Sequence, residues 1–213
     1  MISLPLAFAT SLLLGMRHAT DADHLVAVST IISRERSMLR SSGIGAMWGL
    51  GHTLTILVAG GAIISFKWAV TPRLGLSLEF VVALMLIVLG LLNVAPHTHP
   101  PVATSRLKPF FIGVVHGLAG SAGATLLILP LIDEAGWAIL YLVVFGVGTI
   151  VGMTLMTIAI AGPALLVAHR TATLQRQLRF AAGAISLSFG FYLAWRIGFI
   201  HGLFTADPKW TPL

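Results

Sequence analysis

Arg17-His18-Ala19-Thr20-Asp21-Ala22-Asp23-His24 stands between Leu12-Leu13-Leu14 and Leu25-Val26-Ala27-Val28. Five residues of this octet are ionisable: Arg17, His18, Asp21, Asp23 and His24. Apolar sequence runs up to it from Ile2 and away from it to Ile32, where the first basic loop begins. A helix ending at His18 would leave too short a first span and an unexplained apolar run behind it. The octet therefore reads as lying within a membrane span. Ionisable groups at membrane depth are costly, and they persist when they pair with one another, face water or hold an ion.

The rest of the chain supports a membrane setting. Its 213 residues are 57% hydrophobic and 9% charged, against roughly a quarter charged in a soluble domain. Mean hydropathy is +0.95. So few charges cannot cover the surface of a soluble fold, and the chain reads as an all-α polytopic protein of the lipid bilayer, with 1–213 as one transmembrane domain. The formal net charge of +6 resides largely in short loops between apolar runs, which excludes nucleic acid as a partner. There is no Cys, so disulfides, thiolate metal sites, iron–sulfur clusters and cysteine nucleophiles are excluded. The apolar start has no Lys or Arg before it and no small-x-small cleavage site. It reads as the first membrane helix and not as a cleaved signal peptide.

Six apolar stretches, near 3–32, 43–66, 77–95, 109–131, 137–168 and 180–203, are long enough to span. The first and fifth exceed the roughly 20 residues that a span needs, which predicts that they tilt, break or extend beyond the bilayer. Three alternate connections hold Arg34, Arg36, Arg40, Arg106, Lys108, Arg170, Arg176 and Arg179, and the opposite side holds Lys67, Arg73 and Lys209. The positive-inside rule then puts both termini outside. An internal repeat is also legible. Gly15-Met16-Arg17-His18 aligns with Gly113-Val114-Val115-His116, Gly49-Leu50-Gly51 with Gly146-Val147-Gly148, and Gly90 with Gly190, at offsets of 98, 97 and 100. Halves of about 1–95 and 109–203, with three helices each, would run in opposite directions. This is the inverted-repeat plan of many transporters, with the substrate near the midplane at broken helices. Gly43, Gly45, Gly49 and Gly51, with Gly146, Gly148 and Gly152, mark faces of close helix packing. They also offer contacts for a homo-oligomer, though no copy number is selected.

Two imidazoles and two carboxylates suit a borderline divalent cation. On a straight helix His18 and Asp21 share a face, as do Asp21 and His24, whereas His18 and Asp23 lie about 140° apart. Either part of the octet binds metal, or the helix is locally unwound. Arg17 needs a partner within the span, and Asp21 lies one turn away. That pairing would make Asp21 an orienting group and not a ligand. His52, in Gly51-His52-Thr53, is either a packing histidine or a further nitrogen from the next helix. His116 opens His116-Gly117-Leu118-Ala119-Gly120-Ser121-Ala122-Gly123 at the repeat position of His18, without carboxylates, and is a candidate transient ligand. The candidate metal set is thus His18, Asp21, Asp23, His24, His52 and His116. His97-Thr98-His99 reads as a solvated loop, and Asp133 and Glu134 as an outer turn that attracts cations by charge. His169 and His201 receive no role. The His18-x4-Asp23 spacing also occurs in membrane acyltransferases, where the His is a general base, but no phosphate-binding motif accompanies it. An exporter of amino acids or other small solutes would leave two His and two Asp within seven residues unexplained. No P-loop is present, so direct ATP use is not expected.

The octet resembles the signature of the nickel/cobalt permeases, Arg-His-Ala-x-Asp-Ala-Asp-His followed by an aliphatic residue, here with Thr20 as the variable position and Leu25 as the aliphatic. Leu50-Gly51-His52-Thr53 resembles the next-helix motif of that family. The second half lacks the later Asp-Thr motifs of the classical members. Its His116-Gly117-Leu118-Ala119-Gly120-Ser121-Ala122 is similar to the shorter, urease-accessory-type branch. The resemblance implies six spans and a non-enzymatic permease of the bacterial or archaeal plasma (inner) membrane. It implies Ni²⁺ or Co²⁺ as the transported substrate, no cofactor, and an indirect link to nickel enzymes such as urease. Position by position, His18, Asp23 and His24 match the essential motif residues, His52 matches the second motif, and Asp21 matches without an assigned role.

Overall fold

A computed structural model describes residues 4–66, 70–95, 107–118, 134–168 and 171–210, and all regular structure among them is helical. The first apolar stretch is broken in two, α1 (Leu4–His18) and α2 (Ala22–Ile32). At the joint the backbone tightens. The Thr20 N–H donates to the Arg17 carbonyl at 2.8 Å and the Asp21 N–H to the His18 carbonyl at 3.1 Å. Asp21 is then extended (φ −61°, ψ 147°) and caps α2 without a side-chain bond, because its carboxylate is engaged at His18. Of the two outcomes open for the octet, local unwinding is the one observed.

α3 (Met38–Phe66) and α4 (Pro72–Val94) each begin earlier than expected from hydropathy. For α4 the reason is local. The Thr71 side chain accepts from the Leu74 N–H, and Pro72 sits in the first turn, where a missing N–H costs nothing. α5 (Lys108–Gly117) opens the fourth stretch. The remainder of that stretch, with Gly120-Ser121-Ala122-Gly123, lies outside the described residues, as do His97-Thr98-His99, Asp133 and His169. The fifth stretch is one continuous helix, α6 (Ala135–Ala168), with Pro163 inside it. Thr171 caps α7 (Ala172–Trp195), which continues as a π-helical segment, Arg196–Ile200. Among the described residues, Met38–Phe66, Pro72–Val94, Ala135–Leu166 and Thr173–Ile200 are long and apolar enough to cross a membrane. Leu13, Leu54, Val58, Val88, Phe111 and Phe191 lie exposed on the outer faces of the helices, as a lipid solvent permits.

α3 lies along α6 and α5, α1 lies along α6, and α4 lies along α7, while α2 sits against α7, α4 and α6. The glycines set these contacts, and they do so in reciprocal pairs. A Cβ on Gly15 of α1 would collide with the Phe145 carbonyl of α6, and one on Gly113 of α5 with the Trp48 carbonyl of α3. Gly148 of α6 likewise faces the Leu12 carbonyl, and Gly51 of α3 the Phe110 carbonyl. Gly90 packs on Leu187 and Gly183, and Gly190 on Ile87 and Ala83. Gly15 and Gly113, Gly51 and Gly148, and Gly90 and Gly190 thus make like contacts. Close backbone approach lets extended surfaces pack where lipid supplies little hydrophobic drive. A buried cluster joins Ala19, at the joint of α1 and α2, with Ala27, Trp48, Val82, Leu86 and Met153.

After Ile200 the chain turns at Gly202 (φ 81°) and folds back. The Lys209 N–H donates to the His201 carbonyl at 2.8 Å, and the Trp210 indole N–H to Glu79 Oε1 of α4 at 2.8 Å.

Candidate metal centre

Four helices deliver one imidazole each to a common point. His18 ends α1, His24 lies in the first turn of α2, His52 is central in α3, and His116 is near the end of α5. Their exposures are 7%, 0%, 0% and 0%. The joint makes the gathering possible, because it releases His18 from the helical register that separates it from Asp23 and His24. Gly51 and Gly113 bring α3 and α5 together at the same level, with Gly117 against the His52 backbone.

Two carboxylates order the rings. Asp21 Oδ2 accepts from His18 Nδ1 at 2.8 Å. Asp23 Oδ1 accepts from His24 Nδ1 at 3.1 Å and from the His24 backbone N–H at 3.0 Å, and its Oδ2 accepts from His116 Nε2 at 2.9 Å. His18 Nε2 and His52 Nε2 share a hydrogen bond of 2.9 Å. An ionised carboxylate only accepts, so each contacted ring nitrogen carries a proton, and in the neutral imidazole that a metal requires the other nitrogen of that ring holds a lone pair. With His18 protonated at Nδ1, His52 Nε2 donates to His18 Nε2. This leaves lone pairs on His24 Nε2, His52 Nδ1 and His116 Nδ1. All three are buried without a hydrogen-bond partner. Orphaned polar atoms are rare in native interiors, and three in one centre point to a ligand.

The donors form two groups, His18 with His24 and His52, and Asp23 with His24 and His116. Within each group the donor atoms all lie within 4.8 Å of one another. An ion about 2.1 Å from each nitrogen holds its ligands at most about 4.2 Å apart, so a small contraction closes either group on a metal. Five of the six candidate residues thus fall in these groups, and the sixth, Asp21, joins them through His18.

Three expectations need correction or completion. The Arg17–Asp21 pair does not form among the described residues, since Asp21 turns to His18 and Arg17 is exposed. His18 and Asp23 make no acyltransferase dyad, because Asp23 is taken by His24 and His116. Trp48 and Phe145 were not among the candidates, yet they form aromatic walls. The Trp48 ring is tilted on that of His24 and edge-on to that of His116, at 5.4 and 5.5 Å between centroids, and Phe145 lies tilted on His18 at 5.7 Å. The available signal was positional: Trp48 and Phe145 lie 97 residues apart, the offset of the second glycine match. Glu134 is exposed at the start of α6, away from these contacts.

No protein-family profile matches the chain, and no solved structure matches it. It is 35% identical over 209 residues to the urease accessory protein UreH of Bacillus sp. strain TB-90, an alignment that covers 90% of this chain and 91% of that protein. Similarity of that depth over nearly the whole of both chains places this protein in the UreH family, the urease-accessory-type branch of the nickel/cobalt permeases.

Proposed function

We propose that the chain is a secondary permease that takes up Ni²⁺, with Co²⁺ as the second metal, across the plasma membrane, and that it is not an enzyme. The observation that carries this reading is the buried centre of four imidazoles and two carboxylates, with unpartnered nitrogens on His24, His52 and His116. Imidazole suits nickel and cobalt, and carboxylate supplies compensating charge. His18, Asp23, His24, His52 and His116 are the proposed ligands, and Asp21 orients His18. The name of the relative, a urease accessory protein, supports delivery of the metal toward a nickel enzyme such as urease.

The proposed architecture is six spans in a 3+3 inverted repeat, about 1–95 and 109–203, within one transmembrane domain. The reciprocal glycine contacts support it, as does the placement of α1 on α6 and of α5 on α3. Both termini lie outside in this reading, by the distribution of Lys and Arg. The cation enters from outside, is held at the joint of α1 and α2, and leaves inward as the halves rock.

Radiolabelled Ni²⁺ uptake into proteoliposomes tests the reading. Saturable uptake, competed by Co²⁺ and lost in His18→Ala and His24→Ala, is the expected result. Neutral imidazole binds metal and imidazolium does not, so Ni²⁺ affinity should weaken as pH is lowered. A correctly inserted wild type that takes up no Ni²⁺, with or without a proton gradient, would sink the proposal.

A further inference from the structure

His24 belongs to both donor groups. Its ring lies against those of His18, His52 and His116, at centroid separations of 4.6, 5.0 and 4.4 Å. Its Nδ1 is held by Asp23, and its Nε2 is buried with no partner. A neutral imidazole carries one lone pair, and with the Nδ1 proton held by Asp23 that lone pair is on Nε2, so His24 serves one ion and the two groups cannot be filled together. They differ in chemistry: one offers three neutral nitrogens, the other one carboxylate and two nitrogens. Their outer members, His18 and His116, stand 98 residues apart at matching positions of the two halves.

We infer that the centre is two overlapping stations for a single divalent transition-metal ion, and that the ion crosses by passing between them with His24 bound throughout. The inference rests on the permease reading. In the exchange, His18 and His52 leave the ion as Asp23 and His116 take it, so bonds to the ion are replaced one for one. Asp23 can take the ion and keep the His116 N–H, since a carboxylate has about four lone-pair sites. Three protein ligands leave coordination positions open, which lets the incoming ligand bind before the outgoing one departs. A single site using every donor would hold the ion too firmly, whereas conduction needs binding strong enough to enter and weak enough to leave. Three clustered imidazoles also discriminate against Mg²⁺ and Ca²⁺, which prefer oxygen.

The test uses the purified full chain with Co²⁺ as a spectroscopic probe, alongside Ni²⁺ uptake in proteoliposomes. Wild type should bind one Co²⁺ per chain. His52→Ala should still bind one at the Asp23 group, and His116→Ala one at the imidazole group. The visible spectra of these two variants should differ, because their ligand sets differ. Both should lose uptake at least tenfold, and His24→Ala should lose binding and uptake alike. His52→Asn and His116→Asn stand in where an alanine variant does not give the helical circular dichroism of wild type. If each single variant abolishes binding, or if either leaves uptake unchanged, there is one station and the inference falls while the permease reading stands. A wild type that neither binds Co²⁺ nor takes up Ni²⁺ removes both.

Discussion

Asp21 and Asp23 are two positions apart and do different work. The Asp21 side chain is 41% exposed and touches one ring, whereas that of Asp23 is 17% exposed and bridges two. Removing an outer partner of a metal-ligating histidine typically costs about 10- to 100-fold in affinity. Asp21→Asn should therefore lower Ni²⁺ affinity within about that range, read by isothermal titration of the purified protein. Asp23→Asn should cost more, because it removes a proposed ligand and leaves the N–H groups of His24 and His116 with a neutral acceptor. A larger loss in Asp21→Asn than in Asp23→Asn would reverse the two roles. The composition of the octet was enough to nominate both carboxylates. Their division of labour was not legible, because it depends on where the helix breaks and on His116, which lies 93 residues from Asp23.

At the level of elements, the glycines decide how near the helices come. Gly51 and Gly43 lie on the same helix with opposite surroundings. A Cβ on Gly51 would strike the Phe110 carbonyl, whereas one on Gly43 meets nothing within 4 Å. Overpacking a close contact costs about 1–3 kcal/mol, and alanine is favoured over glycine in a helix interior by about 1 kcal/mol. Gly51→Ala should thus melt at lower temperature than wild type in detergent, followed by circular dichroism, and Gly43→Ala at the same or a higher temperature. Equal melting of Gly51→Ala and wild type would mean that α3 and α5 can separate without cost. The sequence marked both glycines as packing positions and could not separate them, since helical spacing does not say which face meets a neighbour.

At the scale of the whole molecule, the segment His201–Trp210 ties the end of the chain to α4. His201 accepts a hydrogen bond from Arg196 Nε at 3.2 Å, so its Nε2 must be unprotonated. Burial first, and then the Arg196 charge, push its pKa below the ordinary value of 6.5. The sign follows from linkage. The folded arrangement favours neutral His201, so the released tail binds more protons as pH falls. Tail stabilisation is present above the ordinary value and is lost as pH falls below it. The chain has no native Cys, so a spin label on Lys209→Cys reports the tail alone. Its mobility should rise between about pH 8 and about pH 5, and the response should vanish in His201→Asn. A mobility independent of pH would mean that the tail is held by contacts other than His201, such as that of Trp210 with Glu79.

The amino-acid sequence by itself determined the membrane setting, the helical class, the break in the first apolar stretch as one of two outcomes, and the names of the residues now gathered at the centre. Those properties are local, because hydropathy, charge and helical spacing act within a few turns and are set by the solvent around each segment. The tertiary structure alone decided that His18 meets His52, that Asp23 bridges His24 and His116, that Asp21 turns to His18 and not to Arg17, and that Trp48 and Phe145 wall the centre. Apart from the local His18–Asp21 and Asp23–His24 pairs, these depend on distances between helices far apart in the chain. Such distances are fixed by backbone contacts at Gly15, Gly51, Gly113 and Gly148, which exist only once the helices have packed.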